Sequence, residues 1–394
     1  MTANPAVRPA AIGPVLRARA VIDLDAIRSN VAQLVTAADG AAVMAVVKAD
    51  AYGHGLVPSA RAAVDGGATW LGVALLDEAF ALREAGVETP LLAWLLAPGD
   101  AAARERAIAS DIDLSTAGPE ALAEIVAAAR VLGRTARVQL KVDTGLGRGG
   151  STPDDWPALV RAAAQAQRDG DVTVTGVWSH LAYADVPLHP TVAAQTKVFG
   201  EAVDLALAAG LTPEVRHLAN SAATLAVPEA RFDLVRPGIA VYGISPGPEV
   251  GVARALGLRP AMTLEAMLVN VKRVPAGHGV SYGHEYVTST ETTLGLVPLG
   301  YADGVPRSAG NRGPVLAAGH IRPIAGRVCM DQIVLDLGDD AAGVGDRVVL
   351  FGPGDRGEPT ADDWAVAAGT IPYEIVSRIG PRVPREYTGA EQHG

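Results

Sequence analysis

The chain has 394 residues, 49% hydrophobic but only 4% aromatic, with a net charge of −10 and a single cysteine, Cys329. This length predicts two domains around a large core built mainly from Ala, Val and Leu. The negative charge speaks against a nucleic-acid or membrane-surface partner, no apolar stretch reaches bilayer-spanning length, and one cysteine excludes an internal disulfide. Arg8, Arg17 and Arg19 stand near the start without an uninterrupted apolar segment of signal-peptide length, so a cytoplasmic location is expected.

Residues 1–14, rich in Ala and Pro, read as a loose tail, and 15–24 carries a strand. From about 23 to 243, short apolar runs alternate with longer helix-like stretches. Eight candidate strands fall at 42–48, 69–75, 91–96, 111–115, 136–142, 172–179, 214–218 and 233–241, and segments such as 77–85 and 195–209 between them are amphipathic or Ala-rich. Eight such alternations predict an α/β architecture, a (β/α)8 TIM-type barrel over 25–245, in preference to a doubly wound sheet. No Gly-x-Gly-x-x-Gly follows the first strand. Ser245-Pro246-Gly247-Pro248 then breaks the rhythm. Beyond it, 246–394 reads as a mostly β C-terminal domain, with runs at 262–274, 292–299, 327–337 and 347–351 and one short helix at 361–368.

In a barrel, ligands bind at the carboxyl ends of the strands. The first strand ends in Val46-Val47-Lys48-Ala49-Asp50-Ala51-Tyr52-Gly53-His54-Gly55. An amine flanked by apolar residues is disfavoured as ammonium, so Lys48 gains nucleophilicity and can form a Schiff base with an aldehyde cofactor. A snorkelling lysine with its head in water is the alternative. Strand five runs into Lys141-Val142-Asp143-Thr144-Gly145-Leu146-Gly147-Arg148, where Lys141 and Asp143 form either a structural ion pair or part of a site. Strand six ends at Trp178-Ser179-His180, with His180 either a core histidine or a site residue. Strand seven leads to His217-Leu218-Ala219-Asn220-Ser221, and strand eight to Arg236-Pro237-Gly238-Ile239. Ser221 can donate its hydroxyl and backbone N–H to a phosphate, and Gly238 lets its own amide and that of Ile239 approach closely. Tyr52 can reach the same phosphate. Arg236 reads equally as an ion-pair partner of Asp233 or Glu229. In the β half, Gly279-Val280-Ser281-Tyr282-Gly283, Gly300-Tyr301-Ala302-Asp303-Gly304 through Arg307, and Arg327-Val328-Cys329-Met330-Asp331 stand out, followed by Ile371-Pro372-Tyr373-Glu374.

Over nearly its whole length after the tail, the sequence resembles the alanine racemase family, above all in the Lys48 run, the Lys141–Arg148 run and the Gly300 and Arg327 segments. The resemblance implies a pyridoxal 5'-phosphate-dependent isomerase that interconverts L- and D-alanine and supplies D-alanine for peptidoglycan. It implies Lys48 as the Schiff-base lysine and Tyr282 as a second acid/base serving the opposite face. A phenol is a sluggish base at neutral pH, and His180 linked to Arg236 is expected to supply charge and hydrogen bonds to it. Cofactor contacts fall on Tyr52, Arg148, His180, Asn220, Ser221, Arg236, Gly238, Ile239 and Tyr373. Arg236 would face the ring nitrogen and keep it unprotonated. Arg148 and the Met330 amide would bind the substrate carboxylate, and a carbamylated Lys141 would hold Arg148. Tyr301 would narrow the entrance, Asp331 would help place the tyrosine loop, and Asp185, Arg307 and Arg327 would form an outer gate. The strand at 15–24 would pair with the C-terminal domain, and each site of a homodimer would take Lys48 from one chain and Tyr282 from the other. Leu146 stands where methionine is common and Leu181 where an aromatic is common. A racemase of serine or of a broader amino-acid range, a decarboxylase of the same fold, and a non-catalytic carrier of the cofactor are the competing readings. The decarboxylase would not need the Tyr282 base, and a single-barrel carrier would not need the β domain.

Overall fold

A computed structural model describes residues 17–389. The expected tail at 1–14 lies outside the described residues. Strand β1 (Ala18–Asp23) is followed by eight short parallel strands: β2 (Ala42–Val46), β3 (Trp70–Val73), β4 (Leu91–Ala93), β5 (Asp113–Thr116), β6 (Ala136–Lys141), β7 (Val172–Trp178), β8 (Val215–His217) and β9 (Leu234–Val235). They hydrogen-bond in the order β8-β7-β6-β5-β4-β3-β2-β9. The two outer strands meet through Asp233 N–H to Arg216 O (3.0 Å) and Arg236 N–H to Ala219 O (2.9 Å), which closes the sheet into a barrel. Strands β3 to β5 are buried at every position, as parallel strands covered on both faces must be.

Helices alternate with these strands because the sequence starts and stops them. Asp23 caps helix Leu24–Ala38 by accepting from the Ala26 amide, and Asp39 ends it in the left-handed region. Pro119–Leu132 and Pro190–Ala208 carry proline in the first turn, where no intrahelical N–H is lost. The eighth strand is much shorter than the 233–241 expected. Pro237 has no N–H to continue a ladder, and Ile239–Tyr242 turns into a short 3-10 helix. The first strand likewise stops at Val46, two residues before Lys48.

The C-terminal half holds β10 (Met262–Met267), β11 (Asn270–Val274), β12 (Gly279–Val280), β13 (Tyr286–Val287), β14 (Thr292–Val297), β15 (Pro314–Ala317), β16 (His320–Pro323), β17 (Ile333–Gly338), β18 (Arg347–Phe351) and β19 (Arg385–Thr388). A six-stranded sheet runs β16-β15-β18-β10-β1-β19, beside a three-stranded sheet β11-β14-β17 and the hairpin β12-β13. The run expected at 262–274 is two strands, and that expected at 327–337 is strand only from Ile333. Among the described residues two α-helices occur here, not one: Ala361–Ala368 and Pro372–Ser377, the second with proline in its first turn, where no intrahelical N–H is lost. The chain divides into two compact units: Ile22–Met262 with the described residues from Tyr387 onward, and Thr263–Glu386 with the described residues up to Val21.

Candidate active site

Lys48 follows β2 directly, and the backbone after it is unusual. Ala49, Asp50, Ala51 and Tyr52 all have φ near +53°, a left-handed turn made without glycine. For L-residues this costs about 1–2 kcal/mol each, so neighbouring groups must hold it. Glu78 does so: one oxygen accepts from Ala49 N–H (2.5 Å), the other from Ala74 N–H and Leu75 N–H (3.0 Å each). Asp50 accepts from Leu56 N–H (2.7 Å), and the buried His54 ring meets the Ala51 and Tyr52 carbonyls at 3.0 and 3.1 Å. Burial lowers the Lys48 pKa, the Arg148 charge lowers it further, and Glu78 opposes both. Its ammonium lies 5.8 Å from the Trp94 ring centre.

Lys141, at the end of β6, is pushed down to about 8 by burial first and then by Arg148 and Arg236. The Lys141–Asp143 ion pair considered from the sequence does not form. Asp143 accepts instead from the Gly145, Leu146 and Gly147 amides at 2.9, 3.0 and 3.0 Å, which shapes the loop that carries the exposed Arg148. Lys141 rests over Trp178, 4.3 Å from the ring centre. Four cations thus share this strand-end region, with Asp143 committed to its own loop.

Arg236 follows β9 and is 5% exposed. It pairs with neither Asp233 nor Glu229: Asp233 is held by Arg216 at 2.6 and 2.7 Å. Its donors go to neutral acceptors, His217 Nδ1 (3.1 Å), Ser179 O (2.6 Å) and Leu218 O (3.2 Å), with His180 Nδ1 at 3.4 Å. Burial lowers its pKa to about 9, which still leaves it charged at neutral pH. His180 is held well below the ordinary histidine range by burial and by Arg236, Arg148 and both lysines. It is therefore neutral, and the positive charge expected from a His180–Arg236 pair resides on Arg236 alone. Gln195, missed in the sequence, ties the His180 carbonyl to Thr144 through its amide at 3.1 Å to each. The sequence also gave no role to Trp178, whose ring faces Lys141, Arg236 and, in parallel stacking at 5.8 Å, His217.

Beside these groups Ser221 and Gly238 meet. The Ser221 hydroxyl oxygen accepts from Gly238 N–H (2.8 Å) and Ala240 N–H (3.3 Å), so the Gly238 amide is engaged rather than open as expected, while the serine O–H stays available as a donor. A Cβ on Gly238 would lie 2.4 Å from the Tyr52 hydroxyl, so the missing side chain makes room for Tyr52. Asn220 caps helix Ser221–Ala226 through Ala223 N–H (3.1 Å), and Ile239 opens the following 3-10 turn. Asp185 lies in this unit, its Cβ 3.0 Å from where a side chain on Gly247 would begin.

The other unit carries the remaining residues. Tyr282 is 71% exposed, on a turn where Ser281, Gly283 and His284 have positive φ. The Ser281 hydroxyl pins that turn to the Arg327 carbonyl (2.8 Å), and Arg327 pairs with Glu285. Tyr301 N–H donates to the Cys329 carbonyl and Ala302 N–H to the Met330 carbonyl, 3.0 Å each, which lays the two motifs side by side. Met330 is exposed, as is Arg307. Asp331 pairs with Arg382 at 2.7 Å rather than with the tyrosine turn. Tyr373 lies on helix Pro372–Ser377, half-buried.

The first unit is thus a lysine-centred, cation-lined (β/α)8 barrel with its polar groups gathered at the strand carboxyl ends, joined to a β-rich unit. Residues 22–246 match the family model for the alanine racemase N-terminal domain, and 261–387 the model for the alanine racemase C-terminal domain. The chain is 63% identical to an alanine racemase of Frankia casuarinae, covering 98% of this chain and all of that one. It is 60% identical to an alanine racemase of Streptomyces coelicolor, over 95% of this chain and 96% of the relative. A crystal structure of alanine racemase from D-cycloserine-producing Streptomyces lavendulae superposes with a TM-score of 0.95 at 58% identity, covering 97% and 99% of the two chains. The chain belongs to the alanine racemase family.

Proposed function

We propose that this protein is a pyridoxal 5'-phosphate-dependent isomerase that interconverts L- and D-alanine by a two-base mechanism and so supplies D-alanine for peptidoglycan. The observation that carries the reading is Lys48, an amine with a lowered pKa at a strand end among Lys141, Arg148 and Arg236. That charge suits a ligand with a phosphate and a carboxylate. The cofactor fits the residues present: Ser221 keeps a donor, Gly238 leaves a cradle against Tyr52, and Arg236 is a buried charge with neutral protein partners. When bound, it would supply an aldehyde carbon for the Lys48 amine and delocalise the electron pair left at the substrate Cα.

Lys48 Nζ would take or return the α-proton on one face, since its lowered pKa keeps more of it in the basic form. Arg236 donates without ever accepting, so it would keep the cofactor's ring nitrogen unprotonated where it meets it. Neutral His180 would pack on the ring face. Asn220 and Ile239 would frame the phosphate, and Arg148 and the Met330 amide the substrate carboxylate. Carbamylation of Lys141 would turn its repulsion of Arg148 into attraction, and a pKa of about 8 leaves enough free amine for carbon dioxide.

The second base would be the partner subunit's Tyr282. Its 71% exposure in the single chain supports this reading, because an acid/base group must be desolvated against its substrate and another chain can cover it. With it would come the partner subunit's Tyr301, Tyr373, Arg307, Arg327 and Asp331 at the entrance, facing Asp185. The working form would be a homodimer. No helix among the described residues is long and apolar enough to cross a membrane. A cytoplasmic location is part of the same proposal. The test is chiral chromatography of a panel of L-amino acids incubated with protein and pyridoxal phosphate. D-alanine forming far faster than any other D-isomer supports the reading. Faster D-serine, or bound cofactor without racemisation, overturns it.

A further inference from the structure

Below Arg236, the barrel interior carries buried polar groups that this chemistry does not use. Asp113 on β5, Gln139 on β6, Thr175 on β7 and His217 on β8 are all buried. Asp113 accepts from Arg137 Nε (2.6 Å) at one oxygen, and from Gln139 Nε2 (2.9 Å) and Thr175 Oγ (2.6 Å) at the other. Gln139 Oε1 lies 2.7 Å from His217 Nε2, and His217 Nδ1 lies 3.1 Å from an Arg236 nitrogen. Gly176 makes room for this arrangement, since a Cβ there would meet Gln139 Oε1 at 2.8 Å.

The direction of every link is dictated at both ends. A carboxylate only accepts and a guanidinium only donates. The Gln139 NH2 must therefore face Asp113, and its carbonyl must face His217. His217 then carries its proton on Nε2 and offers the Nδ1 lone pair to Arg236. The opposite tautomer would set N–H against N–H and deprive a buried guanidinium of an acceptor.

We propose that Asp113 is a positioning residue that acts through Gln139 and His217 to hold Arg236 in place. The relay spans the barrel interior and orders the arginine before any ligand arrives. Its catalytic consequence rests on the function proposed above, but the relay itself does not.

Histidine-selective 15N NMR of the apoprotein tests it, with the His217 signal assigned from His217→Asn. The relay predicts a neutral His217 in the Nε2–H form with a slowly exchanging, downfield Nε2 proton. That proton is lost in Gln139→Met and shifts upfield in Asp113→Asn, while Thr175→Val leaves it in place. A wild-type His217 found as the Nδ1–H tautomer or as imidazolium overturns the proposal, whatever the enzyme does to alanine. In the holoenzyme, Asp113→Asn lowers kcat roughly tenfold to hundredfold, the worth of a hydrogen bond to a charged group, with KM little changed. In a His217→Asn background the same substitution has no further effect, because the link is already cut. Equal losses in both backgrounds mean a merely structural Asp113 and overturn it. If Asp113→Asn does not fold, Gln139→Met is read through the same cycle.

Discussion

The two units hold their chemistry in opposite ways. In the barrel, Arg236 is buried, His180 and Lys48 are half-buried, and Arg236 and His180 are hydrogen-bonded within the same unit. In the β-rich unit, Tyr282, Met330 and Tyr301 stand on short turns braced from behind by Ser281, Asp303 and the Cys329–Met330 backbone, yet open to solvent in front. The barrel half is built before ligand arrives. The other half is braced from behind and open in front, the arrangement that the proposed dimer requires.

Substitutions on the two sides should therefore differ in kind, and the largest effects fall on the reacting groups. Lys48→Ala should lower racemisation by at least about 10^4-fold, measured by chiral chromatography, with loss of the cofactor's lysine-bound absorbance. Tyr282→Phe should cost roughly 10^2- to 10^4-fold in rate while leaving thermal stability within about 0.5 kcal/mol, because the ring is exposed in the free chain. A fall in stability matching that of a core substitution would erase the contrast.

Glu78→Gln sharpens the barrel side. The carboxylate ties Ala49, the first of the four left-handed residues, to the Ala74 and Leu75 amides, and its loss should destabilise the barrel by about 1–3 kcal/mol in denaturant unfolding. Since Glu78 also raises the Lys48 pKa, its removal should shift to lower pH the rising limb of the rate profile, where Lys48 loses its proton and becomes the base. The smallest effect concerns Lys141. Its carbamate, read by 13C NMR in labelled bicarbonate, should grow as pH rises through about 8, where the amine loses its proton, and should be absent in Lys141→Arg.

Much of this was legible in the sequence because period and punctuation are local. The alternation of apolar runs gave the barrel, and Lys48, His180 and Arg236 are at strand ends as read. The β half was less legible. The hairpin β15–β16 and the helix Pro372–Ser377 are short, and strand β19 owes its place to a sheet partner, β1, far away in sequence. The left-handed turn after Lys48 was invisible, since Ala49 to Tyr52 contain no glycine to announce positive φ. Nor could spacing reveal that Asp143 serves its own loop, that Arg216 claims Asp233, or that Asp113 and Gln139 support Arg236 from below. Those depend on which side chains the barrel brings face to face.

The claim that each site joins one chain's barrel to another chain's tyrosine turn is tested most directly by mixing two inactive variants, Lys48→Ala and Tyr282→Phe, under conditions that exchange subunits. Hybrid dimers would contain one site with both lesions and one with neither, so random pairing should restore about a quarter of wild-type activity. A mixture that stays as inactive as its parts, with exchange verified, would mean that lysine and tyrosine act within one chain and would contradict the account.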